Sequence, residues 1–162
     1  MKKIFYLILS VIISLVFTTC DKQSIKDENI EDESLVYSVQ YFGGWTSIDE
    51  VLKISEKTTY FSSSYYSRDK MKRVSYQITK KTPKEIWDNL NKTYKLETFK
   101  KIKDGSCSAC LDGVDETFTV TLFSKTYSLY NGVKDENYKQ MQDFFDLFYE
   151  QIKAFRDNAE YK

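Results

Sequence analysis

The chain is 162 residues long, with 24 Lys+Arg balanced by 24 Asp+Glu, three Cys, one Pro and no His. The length suits one domain, 41% hydrophobic and 16% aromatic residues exclude a chain disordered throughout, and a mean hydropathy of −0.51 excludes a multi-pass membrane protein. Without His there is no Ser-His-Asp or Cys-His catalysis, no imidazole base and no His-ligated zinc.

Met1-Lys2-Lys3 opens the chain with a basic start, and Ile4 to Phe17 is apolar but for Ser10 and Ser14. As a helix these 14 residues rise about 21 Å, short of the ~30 Å hydrocarbon core. A basic start, an apolar run of this length and small residues after it describe a secretory signal. The segment Leu15-Val16-Phe17-Thr18-Thr19-Cys20 resembles the lipobox of bacterial lipoproteins, in the looser form of the Bacteroidota, with Phe17 and Thr19 where the usual pattern has Leu and a smaller residue. That resemblance covers the signal alone. It implies a signal peptide at 1–19, lipidation of Cys20 and a lipid-anchored place in the cell envelope.

Asp21 to Ser34 is dominated by acidic residues and has only two large apolar ones, Ile25 and Ile30. Such a segment buries too little to fold, and it reads as a flexible tether of roughly 20 Å r.m.s. span. Acidic residues after the lipid-bearing Cys resemble the surface-export signal of Bacteroidota lipoproteins, whereas Asp21 directly after it resembles a retention signal of enteric bacteria. The leaflet therefore stays open. The expected organisation is signal 1–19, lipidated Cys and tether 20–34, and one domain over 35–162.

Within the domain, Val36–Phe42 is rich in strand formers and ends at Gly43-Gly44. Residues 50–55 and 58–62 flank Glu56-Lys57 as a hairpin would, although Ser47 to Glu50 also fits a capping box that would make 48–54 a helical turn. Val74, Tyr76 and Ile78 alternate with polar neighbours as in a half-buried strand. Thr82-Pro83-Lys84-Glu85 predicts a helix start with Thr82 as the cap, and Ile86, Trp87, Leu90 and Tyr94 mark one helical face. Phe118, Val120 and Leu122 alternate along 117–123, and 126–130 pairs back across Ser124-Lys125. From Asp135 the period becomes helical: Tyr138, Met141, Phe145, Phe148, Ile152 and Phe155 recur every three or four residues. The expected fold is α+β: a mostly antiparallel sheet of five to six strands packed by a short central helix and a long C-terminal one. This layout loosely resembles domains of bacterial envelope lipoproteins, which share the hairpin, the capped helix, the Cys-bearing loop, the strand pair and the final helix. No activity comes with that resemblance.

Cys107-Ser108-Ala109-Cys110 is the one motif with chemistry in it. A structural disulfide suits a chain folded outside the cytosol, and its small ring contributes about 2 kcal/mol by chain entropy. A thiol-disulfide exchange site would instead open a helix, and the turn-forming run Leu111-Asp112-Gly113-Val114-Asp115 follows here. A zinc site lacks ligands, and Asp104, Asp112, Asp115 and Glu116 lack the spacing of a calcium loop. No metal and no cofactor is expected. A hydrolytic carboxylate pair is offered only by Asp49/Glu50 and Asp115/Glu116, whose adjacent members point to opposite faces of a strand.

Charge is segregated: residues 68–103 carry twelve basic and four acidic side chains, while both flanks are acidic. A basic face meeting an anionic envelope component competes here with basic segments simply packing beside acidic ones. Tyr60, Tyr65 and Tyr66 around the serine run 62–64, with Lys80, Lys81, Lys100 and Lys101, form the candidate binding surface. The expected function is a lipid-anchored, non-enzymatic binding or structural module. Its partners would be the membrane through Cys20 and an envelope protein or anionic glycan, but not nucleic acid. The alternative is a periplasmic thiol-disulfide protein using Cys107 and Cys110.

Overall fold

A computed structural model describes residues 34–45 and 47–158. The signal segment, Cys20 and the tether up to Glu33 lie outside the described residues. Four strands come first: β1 (Leu35–Gly43), β2 (Ile48–Ser55), β3 (Thr58–Ser67) and β4 (Lys72–Lys81). Helix α1 (Lys84–Thr93) and the single turn α2 (Leu96–Phe99) precede a loop with a 3₁₀ turn at Ala109–Leu111. Strands β5 (Val114–Leu122) and β6 (Lys125–Tyr130), the single turn α3 (Glu136–Lys139) and the long α4 (Gln142–Asn158) complete the chain. All six strands form one antiparallel sheet in the order β4-β3-β2-β1-β5-β6. The expected α+β architecture is present, with two extra single-turn helices.

The helices cover one face of this sheet. Tyr37 and Val39 of β1, Leu52 and Ile54 of β2, Phe61 of β3, and Phe118 and Val120 of β5 are buried beneath them. Helix α4 answers with Phe145, Phe148, Ile152 and Phe155 of the helical stripe read from the sequence, joined by Phe144, which that stripe did not include. Phe118 and Phe145 stand 4.7 Å apart between ring centres, Phe61 and Phe155 stack at 5.0 Å, and Tyr37 meets Phe144 edge-on at 5.5 Å. Each such ring contributes about 1.5–3 kcal/mol by burial, with a further 0.5–1.5 kcal/mol for a well-oriented pair. Helix α1 lies beside α4 and seats Leu90 in the same core, while Tyr37 donates its hydroxyl proton to Asn91 Oδ1 at 2.9 Å.

Three local expectations are corrected. The capping-box reading of Ser47 to Glu50 fails because 48–55 is strand: Ser47 takes a left-handed turn conformation (φ 47°), and Glu50 is committed to the sheet–helix interface. Thr82 does not cap α1. It is buried against Thr59, with the two hydroxyls 2.9 Å apart, and Pro83 occupies the cap position with extended ψ. The helical run from Asp135 is broken after Lys139, so α3 and α4 are separate; Asp135 caps α3 by accepting from the amides of Asn137 (2.9 Å) and Tyr138 (3.0 Å). Among the described residues, no helix is long and apolar enough to cross a membrane.

One end of the helix–sheet interface is polar. Pairing aligns Ser63, Glu50, Tyr41 and Glu116 across β3, β2, β1 and β5 on the helix-covered face. Glu50, 2% exposed, accepts from Ser63 Oγ at 3.1 Å and from Arg156 Nε at 3.0 Å, with a further ion pair to Arg156 Nη2. Arg156 thus ties the last turn of α4 to β2. Removing one partner of a buried pair leaves an uncompensated charge, worth 3–5 kcal/mol when both are fully buried; Arg156 is 43% exposed, so about 2 kcal/mol is expected for Arg156→Leu. Urea melts should show the double variant Arg156→Leu/Glu50→Leu to be more stable than that single variant. A double variant no better than the single would mean that the buried carboxylate does not depend on the arginine.

Candidate functional site

The cysteine motif lies in the loop between α2 and β5. Cys107 and Cys110 are bridged, with Cα atoms 5.4 Å apart, and the Cys110 amide donates to Cys107 Sγ at 3.0 Å. The loop folds back over the head of β5, where the chain continues as strand through Val114 and Asp115 rather than as the turn its residues suggested. Period-two alternation puts Asp115 on the face away from the helices and Glu116 on the helix side.

Asp115 is the centre of this loop. Its side chain is buried, and Oδ1 accepts from the amides of Ser108 (2.6 Å) and Ala109 (3.1 Å) and from Asn131 Nδ2 (2.6 Å). Its Oδ2 accepts from the Tyr130 hydroxyl and lies 3.5 Å from Cys107 Sγ. Burial by itself would raise the Asp115 carboxyl; the hydrogen bonds from Tyr130, Asn131 and the loop amides outweigh it and bring the carboxyl down to about 2. Asn131 also donates to Ser106 O at 2.7 Å and accepts from the Glu116 amide at 2.7 Å. The loop is therefore clamped from both ends of the bridge. The close approach of β1 depends on Gly43, at φ 108°, because a Cβ there would stand 2.8 Å from Ala109 Cβ.

The carboxylates weighed as a calcium loop do not converge. Asp104 accepts from the Tyr130 amide at 2.7 Å, Asp115 is saturated by the loop, and Glu116 faces the helices. No cluster of three or more metal-ligating side chains occurs among the described residues. The adjacent pairs Asp49/Glu50 and Asp115/Glu116 do split across the sheet. Glu50 and Glu116 share a face but flank Tyr41, and each is already engaged: Glu50 by Arg156, Glu116 by the Tyr149 hydroxyl at 3.1 Å. Burial, then Glu116, pushes the Tyr41 phenol up; burial, then the hydrogen bond with Tyr138, pushes the Tyr149 phenol up.

The seven residues of the candidate binding surface are dispersed. Tyr60 and Tyr66 lie on the uncovered face of β3, and Tyr65 points to the helix side. Lys80 extends over the Phe155 ring, 4.0 Å from its centre. Lys81 lines a groove of about 440 Å³ with Glu56, Lys84, Trp87 and Asp88. Lys100 pairs with Glu97 at 2.8 Å and reaches the Tyr127 ring on β6, at the opposite edge of the sheet from Lys80 and Lys81, and Lys101 is exposed beside it. The basic stretch thus spreads over an edge strand and two helices rather than forming one patch. Lysines on β4 blunt an unpaired sheet edge, which is sufficient reason for their clustering in sequence.

Sequence reasoning found the two cysteines and missed Asp115, Tyr130 and Asn131 as their support. The signal available was the Asn131-Gly132 turn that ends β6, which places Tyr130 and Asn131 near the head of β5 once β5 and β6 pair. No protein-family model matches the chain, and no curated protein matches it in sequence.

The depressed Asp115 carboxyl has a consequence for acid stability. A carboxyl lowered by folding stabilises the fold fully above its unfolded value near 4, and that contribution disappears as pH falls through about 2. Asp115→Asn should therefore lower the thermal midpoint at neutral pH and flatten its fall between pH 4 and 2. An acid limb equally steep in the variant would remove Asp115 as its source.

Proposed function

We propose that the chain is a lipid-anchored protein of a bacterial cell envelope, held by acyl chains on Cys20. Its domain is a non-enzymatic binding or structural module of that envelope, and Cys107–Cys110 is a structural bridge. The anchor rests on the basic start, the apolar run and the lipobox-like segment ending at Cys20. Several acyl chains on one Cys hold a protein firmly, since each buried CH₂ is worth about 0.8 kcal/mol.

The observation that carries the structural reading of the bridge is the Asp115 carboxylate 3.5 Å from Cys107 Sγ. A negative charge at that distance opposes formation of a Cys107 thiolate, and the thiolate is the species that attacks or leaves in exchange. Cys107 is thereby made a poor attacking and leaving group, and exchange through the pair is slowed. One feature supports the exchange reading: the Cys110 amide directed at Cys107 Sγ would stabilise a thiolate. A neutral amide is weaker than a full charge at comparable range, and no helix of more than one turn begins at the motif to add its dipole.

A thiol-alkylation titration of the chain separates the two. A midpoint below about −300 mV is expected for the structural bridge; one between about −120 and −230 mV, with a thiol reacting well below pH 8, would establish exchange chemistry instead. In the reduced protein, Asp115→Asn should speed alkylation of Cys107 at neutral pH. The anchor is tested separately. Cys20→Ala should move the protein from the detergent phase to the aqueous phase of a detergent partition, and its retention in the detergent phase would overturn the anchor.

A further inference from the structure

Among the described residues, the large apolar side chains that stand exposed, Phe123 apart, sit at one end of the sheet. There β1 turns into β2 at Trp45, β3 turns into β4 at Met71, and the cysteine loop enters β5 through Leu111. Trp45 is 77% exposed, Met71 74% and Leu111 86%. The three turns are neighbours: Arg73 Nη2 donates to Ser47 O at 3.3 Å, and a Cβ on Gly44 would stand 3.2 Å from Val114 Cγ2. From β4 to β5 they form a ridge of about 20 Å at ordinary strand spacing. Around Met71 the exposed cations Arg68, Lys70 and Lys72 outnumber the one anion of that turn, Asp69.

We propose that this end of the domain docks onto an anionic phospholipid bilayer, with Trp45, Met71 and Leu111 entering the interfacial layer and Arg68, Lys70 and Lys72 meeting headgroup phosphates. Indole is favoured at the boundary between hydrocarbon and water, and a cation near an anionic surface adds attraction. The apolar side chains stand on separate convex turns. A protein partner would need a packed, contiguous patch, whereas a fluid interface accepts separated protrusions. A second copy of the chain would bring like charges together. The docking needs no acyl chain, so it stands apart from the anchor on Cys20.

The chain beginning at Asp21 retains every described residue and lacks the signal segment and Cys20, and a cooperative thermal melt checks its fold before the vesicle experiments. That chain should float with phosphatidylglycerol vesicles and not with phosphatidylcholine vesicles. Brominated acyl chains should quench its fluorescence, and Trp45→Phe should abolish the quenching. The triple variant Trp45→Ser/Met71→Ser/Leu111→Ser should bind at least about tenfold more weakly, with an unchanged thermal midpoint. Lys70→Glu/Lys72→Glu should weaken binding by a comparable factor and covers the case of a misfolded triple variant. Binding by both variants as strong as that of the unaltered chain, absence of binding to anionic vesicles, or binding without quenching of Trp45 would each overturn the proposal. Self-association that ignores vesicles and is lost in the triple variant would overturn it in favour of a second copy.

Discussion

Strand β1 pairs along its whole length with β2 on one side and β5 on the other, and its register decides what every other part of the domain meets. With Tyr37, Val39 and Tyr41 turned toward the helices, the apolar residues of β2 and β5 turn the same way, and α4 finds a continuous aromatic bed. A slip of one residue would put Thr117 or Thr119 where Phe118 now lies, or Val51 or Lys53 where Leu52 now lies, and would turn Phe118 or Leu52 to the uncovered face. That penalty makes the register unique. The same register places Asp115 opposite Phe42 on the other face, and so positions the support of the cysteine loop.

The interface between sheet and α4 is apolar over most of its length and polar at one end. There Glu50 meets Arg156, and Glu116, Tyr149, Tyr138 and Lys134 follow one another through hydrogen bonds, with 3.0 Å between the two phenolic oxygens. Buried polar groups of this kind are tolerated only because each has a partner. Burial, together with their partners, keeps Tyr41 and Tyr149 as neutral phenols, so they serve as hydrogen-bonding spacers between charges. Arg156 sits in the last turn of α4, where a cation also suits the helix dipole. The last turn of α4 is thus held both by packing, through Phe155 on Phe61, and by charge, through Arg156 on Glu50.

Beyond this polar end lies the ridge of turns that carries Trp45, Met71 and Leu111. The Asp115 clamp determines how the Leu111 segment is presented there, because it fixes the loop amides of Ser108 and Ala109 to the head of β5. The disulfide closes a ring of four residues and so contributes little chain entropy; its effect is to shape the loop that Asp115 then holds. A loop shaped in this way presents its apolar residue on a firm base, and an exposed side chain on a firm base loses less entropy on docking than one on a mobile loop.

Periodicity by itself was enough to identify the strands, the amphipathic C-terminal helix and the α+β class, because alternation and the 3.6-residue repeat are local consequences of burying one face. Spacing likewise identified Cys107 and Cys110 as a pair. Local patterns misled where a residue had a stronger distant partner: Thr82 reads as a helix cap but bonds Thr59, and Glu50 reads as part of a capping box but bonds Arg156, 106 positions away. Val114 and Asp115 read as turn because Asp112, Gly113 and Asp115 are turn formers around a single strand former, and pairing with Gly43 and Phe42 overrode them. The row of Ser63, Glu50, Tyr41 and Glu116, the Asp115 clamp and the ridge of exposed turns depend on which strands lie side by side and in what register. Those are long-range choices made by the packed core as a whole, and no window of neighbouring residues contains them.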